Sequence, residues 1–106
     1  MQRIGFLLQV KPEQIAEYKR RHAAVWPELL AEISKAGIHN YSLFMREDGL
    51  EFGYCECEDW QAACDYLAKS NVNARWQEEM KEFLATPVDM SSAEPVKMLE
   101  QVFYLE

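Results

Sequence analysis

From Arg3 to Val10 the apolar residues Ile4, Phe6, Leu8 and Val10 alternate with Gly5, Leu7 and Gln9. A period of two places alternate side chains on opposite faces of a strand, and Leu7 adds apolar character to the second face. The pattern then changes. Pro12 stands at a first helical position with Glu13 behind it, where the helix dipole favours negative charge. Pro27 lacks the amide hydrogen that a continuing helix needs, so the first helical region should break near Trp26, restart over 27–36 and end at Gly37. A hairpin is expected next, with strands over 38–46 and 50–58 joined by Glu47, Asp48 and Gly49. In its second strand Leu50, Phe52 and Tyr54 alternate with Glu51, Gly53 and Cys55. Asp59 is placed to cap a helix over 60–69, and Ser70 or Asn71 a second piece carrying Trp76, Met80, Phe83 and Leu84. After a connection from Thr86 to Pro95, the density of Val, Met, Leu, Phe and Tyr predicts a last strand over 96–105.

The resulting order, β-α-β-β-α-β, is the split βαβ arrangement. It predicts an α+β, ferredoxin-like sandwich with a four-stranded antiparallel sheet and helices on one face. The 106 residues suit a single domain over 1–106. Both faces of the first and last strands are apolar, so the helices cover only half of what needs covering. A homodimer packed through its sheets is the expected solution.

Composition narrows the partners. Eleven basic against eighteen acidic residues give a net charge of -7, which disfavours phosphate backbones and anionic lipid. No nucleic acid and no membrane partner is expected, and no apolar run approaches the roughly 20 residues that span a bilayer. The first residues lead directly into a strand pattern without a signal-like apolar region, so a cytoplasmic location is the expectation. Cys55, Cys57 and Cys64 make an odd count without framework spacing, which suits reduced thiols. Cys55 and Cys57 lie two apart in a strand and read as small core residues. With His22 and His39 they match no zinc spacing, and no metal site is expected. Gly-rich phosphate loops and His-Glu-x-x-His or Gly-x-Ser-x-Gly patterns are missing.

Two histidines remain as candidate chemistry. Tyr18, His22 and Trp26 recur at intervals of four and share a helix face, as a pocket wall or as a surface patch. Lys19, Arg20 and Arg21 beside His22 should disfavour the imidazolium and keep the ring exchanging protons near neutral pH. A solvated helix-face histidine is the plainer reading. In His39-Asn40-Tyr41-Ser42, strand alternation puts His39 and Tyr41 on one face and Asn40 and Ser42 on the other, so only one pair can look into a given pocket. Trp76 offers a flat surface suited to the apolar face of a sugar, while such a tryptophan is more often a core residue.

These stretches together carry more than each alone. Tyr18-Lys-Arg-Arg-His22, Trp26-Pro27-Glu28-Leu29, His39-Asn40-Tyr41-Ser42, Arg75-Trp76 and the ending Gln101-Val102-Phe103-Tyr104-Leu105 occur in the order and spacing of one family. Over essentially its whole length the chain resembles the L-rhamnose mutarotases. The resemblance implies a dimeric α+β barrel of ferredoxin-like subunits, no metal or other cofactor, and interconversion of the α and β anomers of a deoxy sugar. By position it makes His22 the proton donor and Tyr18, Tyr41 and Trp76 sugar contacts. Ring opening needs a proton placed on the ring oxygen while the anomeric hydroxyl loses one, a task for a group with balanced acid and base character. For the anomeric proton, Tyr18, Asp89 and a water are open alternatives. The chain departs from the family pattern at Gln77, where a second tryptophan is common, which bears on sugar preference rather than reaction type. Against this stand a cofactor-independent monooxygenase on the same dimeric barrel fold and a sugar-binding module without catalysis.

Overall fold

The computed structural model describes residues 1–106 and contains four strands and four helices. They are β1 (Gln2–Gln9), α1 (Ile15–His22, entered through a 3-10 turn at Pro12–Gln14), α2 (Pro27–Lys35), β2 (His39–Met45), β3 (Leu50–Cys57), α3 (Trp60–Ala68), α4 (Asn71–Met80) and β4 (Lys97–Leu99). All four strands form one sheet in the order β2-β3-β1-β4, with every neighbouring pair antiparallel. This is the expected split βαβ sandwich.

Local chemistry sets the helix ends. Trp26, before Pro27, is extended at ψ 131°, because the proline ring crowds the helical conformation of its predecessor. The break therefore spans Ala23 to Trp26, and α1 stops at His22, four residues short of the expected end. At the end of α2, Gly37 adopts φ 90°. Its amide donates to Ser34 O at 3.0 Å and that of Ile38 to Ile33 O at 3.3 Å, the paired bonds of a Schellman cap. Asp59 accepts from Ala62 N, and Ser70, rather than Asn71, accepts from Asn73 N. α4 ends at Met80, so Phe83 and Leu84 lie beyond it. They are held by a bridge between Leu84 and Val10 and by Lys11 N donating to Phe83 O.

The helices pack on the sheet face that carries Ile4 and Phe6 from β1, with Val10 just beyond it, and Cys55 and Cys57 from β3. One end of this layer is closed by Ile38, Ala63 and Leu67, the other by Tyr18, Leu29, Trp76, Met80 and Phe83. Gly53 makes the close packing possible, since a Cβ there would fall inside the Phe6 ring. All three cysteines are free and buried. Burial pushes the Cys55 thiol up to about 12 and the Cys64 thiol to about 11, so both are inert small core residues. No helix is long and apolar enough to cross a membrane.

The last strand differs from its expected extent. Only Lys97–Leu99 pair with β1, opposite Leu7 to Gly5; the residues after Leu99 form no regular structure. Val102 is 84% exposed, and Phe103, Tyr104 and Leu105 are also exposed. Tyr104 is held under the Arg3 guanidinium, 3.7 Å from its ring centre. β-Propensity alone does not make a strand, because the ladder and the apolar side chains both need a partner surface. The sheet face away from the helices is similarly open, with Phe44 63% exposed beside Phe52 and Leu99.

Gly53→Ala should destabilise the chain by about 1–3 kcal/mol, the usual cost of overpacking a filled core. Urea unfolding measures it, and an unchanged midpoint would show that the Phe6 ring moves aside freely.

Candidate functional site

The sandwich encloses a cavity of about 570 Å³ between the sheet and the helices, within the roughly 300–1,000 Å³ range of small-molecule sites. Its lining is mostly apolar, with a few convergent polar groups. Tyr18, His22, Tyr41 and Trp76 all contribute to the wall, joined by Asn40 and Gln77. Residues far apart in sequence thus meet, with His22 at the end of α1 brought against Trp76 of α4, their ring centroids 5.5 Å apart.

His22 occupies the last turn of α1. Its Nδ1 lies 3.0 Å from the carbonyl oxygen of Tyr18, one turn earlier. A carbonyl only accepts, so Nδ1 carries the hydrogen and the neutral ring presents its lone pair at Nε2. No buried side-chain nitrogen or oxygen lacks a partner, so Nε2, which has none, is open to solvent. The ring packs on Tyr18 with centroids 4.2 Å apart and meets Trp76 edge to face at 5.5 Å. Burial lowers the His22 pKa, opposed by the bond to the Tyr18 carbonyl. The sequence pointed to that direction but to another cause. Arg20 and Arg21 are instead paired with Glu17, at 2.8 and 2.9 Å, and desolvation dominates.

Tyr18 is buried, and its hydroxyl donates to Glu51 Oε1 at 2.7 Å. Burial, then the neighbouring carboxylate, raise its pKa far beyond the ordinary phenol value. Glu51 is 2% exposed on β3. Burial raises its pKa and the Tyr18 bond opposes that. Sequence reading passed over Glu51, because a lone glutamate alternating with Leu50 and Phe52 looks like the wet side of a strand. Its signal was the small set it shares a face with, Gly53, Cys55 and Cys57.

Strand alternation also failed at one place. The β2–β3 register shifts between His39 and Ser42, and Asn40 adopts φ 49°. A bulge of this kind re-aims side chains, and here Asn40 and Tyr41 line the cavity together, whereas His39 does not. Asn40 Nδ2 is anchored to Glu56 Oε1 at 2.9 Å. Trp76 stands edge to face with Trp26 at 5.2 Å. Gln77 Nε2 donates to Asn73 Oδ1 at 3.2 Å. Asp89, an alternative proton acceptor from the sequence, lies outside the cavity lining. Its carboxylate accepts from Ser91 N and Ser91 Oγ, which lowers its pKa.

Comparison with known proteins identifies the family. The family model for L-rhamnose mutarotase matches residues 3–105. The chain is 38% identical to an L-rhamnose mutarotase of Oceanobacillus iheyensis and 42% identical to one of Mannheimia succiniciproducens, each over the full length of both chains. A crystal structure of the L-rhamnose mutarotase of Formosa agariphila superimposes over the whole of both chains with a TM-score of 0.82 at 27% identity. The chain belongs to the L-rhamnose mutarotase family.

Proposed function

We propose that this chain is an L-rhamnose mutarotase, an isomerase that interconverts the α and β anomers of L-rhamnose or a closely related 6-deoxy sugar with His22 as proton donor. The observation that carries the reading is that His22, whose Nε2 has no hydrogen-bond partner within the chain, lines one cavity with Tyr18, Tyr41 and Trp76, in a chain of this family. Protonated, Nε2 donates to the ring oxygen of the sugar; neutral, the same atom takes the proton back on closure. One imidazole thus serves both directions. Tyr18 and Tyr41 offer hydroxyls to the sugar, and Trp76 offers apolar surface to its ring or C5 methyl. The reaction as written transfers protons and breaks and re-forms the C1–O5 bond with no change of oxidation state, and these residues supply the acid–base groups it needs.

The assembly we propose is a homodimer that buries the open sheet faces, giving the dimeric α+β barrel. Phe44, Phe52 and Leu99 on that face and Val102 to Leu105 in the tail are apolar groups that a second copy would remove from water. Three free thiols suit a reducing cytoplasm.

Anomeric proton NMR exchange of L-rhamnose tests the activity. The wild type is expected to accelerate exchange without altering the anomer ratio, and folded His22→Ala to lose about 10²–10⁴-fold. Acceleration unchanged by that substitution would remove His22 from the mechanism. Titration of the His22 ring by NMR should give a pKa below the ordinary value of about 6.5. Because the folded form then binds its proton less readily than the unfolded form, stability should fall as pH drops through that window. A pKa above 6.5 would reverse the sign and contradict the burial argument. Sedimentation equilibrium should give twice the 12.4 kDa chain mass, shifted toward monomer by Phe52→Lys. A monomer at every concentration would reject the barrel.

A further inference from the structure

We propose that Glu51, acting through the Tyr18 hydroxyl, is the group that receives and returns the proton of the anomeric hydroxyl. This rests on the mutarotase reading above and supplies the half of the proton exchange that His22 leaves open.

Stability does not explain the placement of Glu51. Glu51 is almost wholly buried, in a sheet register that sets it opposite Leu8 on β1 and Met45 on β2. It takes part in no ion pair, and its one side-chain hydrogen-bond partner is Tyr18. The titratable group that acts on it is Tyr18 from α1, and its carboxylate in turn acts on Tyr41 from β2. A buried carboxyl without a cation is costly, and an amide or apolar side chain would fit the site at lower cost.

Its place relative to the cavity gives it a use. Glu51 is not part of the cavity wall, but Tyr18 is, and Tyr18 carries the imidazole of His22 on its ring. A proton passing between a bound sugar and Glu51 therefore crosses Tyr18 Oη. Tyr18 is suited to transmit rather than to store it. Its hydroxyl hydrogen already points at Glu51 Oε1, which leaves the oxygen lone pairs to accept from the sugar.

The step balances. His22 Nε2–H gives its proton to the ring oxygen, the C1–O5 bond breaks with its electron pair going to O5, and the O1–H pair becomes the second C1–O1 bond. The O1 proton moves to Tyr18 Oη as the Tyr18 hydrogen moves to Glu51 Oε1. The open-chain aldehyde is left between a neutral imidazole and a neutral carboxyl. After rotation about C1–C2, the same transfers in reverse close the ring on the other face. Ordinary imidazole and carboxyl groups differ in proton affinity by roughly two pKa decades, about 6.5 against 4.3. Burial lowers His22 and raises Glu51, which brings the two charge states of the pair toward equal energy, where proton transfer in both directions is fastest.

Glu51→Gln, Tyr18→Phe and the double variant, assayed by anomeric NMR exchange across pH, test this. Glutamine still accepts the Tyr18 hydrogen but takes up no proton. Folded Glu51→Gln is expected to lose about 10²–10⁴-fold in kcat with KM for L-rhamnose within about threefold. One limb of the wild-type pH profile should vanish, and the double variant should be no slower than the slower single one. A folded Glu51→Gln protein that keeps kcat and both limbs overturns the proposal while leaving the mutarotase reading intact. Should Glu51→Gln fail to fold, Tyr18→Phe decides: a kcat loss with one limb missing supports the relay, and a rise in KM alone overturns it. A folded wild type that accelerates no 6-deoxy sugar defeats both readings.

Discussion

The hydrogen bond from Tyr18 to Glu51 ties the first helix to the middle of the sheet, and much of the molecule is arranged around it. Tyr18 is at once a core residue, packed edge to face on Phe83 at 6.2 Å, and a wall of the cavity. One turn later, at the end of the same helix, His22 is fixed by the Tyr18 carbonyl and by the Tyr18 ring. A helix stopped a turn earlier would lose the histidine, and the break after His22 is where Val25 joins the cavity wall. The stiff proline junction therefore belongs to the site as much as to the fold.

Burial has opposite effects on His22 and Glu51. Desolvation penalises a charge whatever its sign, so it lowers an imidazole and raises a carboxyl. His22 packs on the ring of Tyr18 and Glu51 accepts from its hydroxyl, and neither has a counter-ion. Arg20 and Arg21 would otherwise dominate the electrostatics of α1, but Glu17 engages both at the surface, and Arg21 also approaches Glu79 of α4 at 3.8 Å. Such exposed pairs add little stability. Their effect here is that the dry interior, rather than the nearby cations, sets the proton affinity of His22.

The sandwich is also one-sided. Helices shield the face of Ile4 and Phe6, and Phe6 lies flat across Gly53 to fill it. Phe44, Phe52 and Leu99 are on the other side, where no helix covers them. The apolar tail after Leu99 belongs to the same imbalance, since its side chains find no layer within the chain. A small domain has little core to spare, and apolar surface in excess of what one chain can cover is what association relieves.

What the sequence determined by itself was local and periodic. Alternation placed β1 and β3, Asp59 and Gly37 marked helix ends through their own side-chain and backbone chemistry, and Pro27 split the first helical region. The interval of four put Tyr18 and His22 on one face, and the family pattern supplied Tyr41 and Trp76. Tertiary structure decided the rest, because it depends on which surfaces meet. The last strand stopped at Leu99 where its partner edge was no longer engaged, and a bulge let Asn40 and Tyr41 share a wall that simple alternation forbids. Glu51 became a buried carboxyl only when a phenol from another element closed over it. Burial is a property of the folded neighbourhood rather than of residue type, and it alone separates that glutamate from the many that face water.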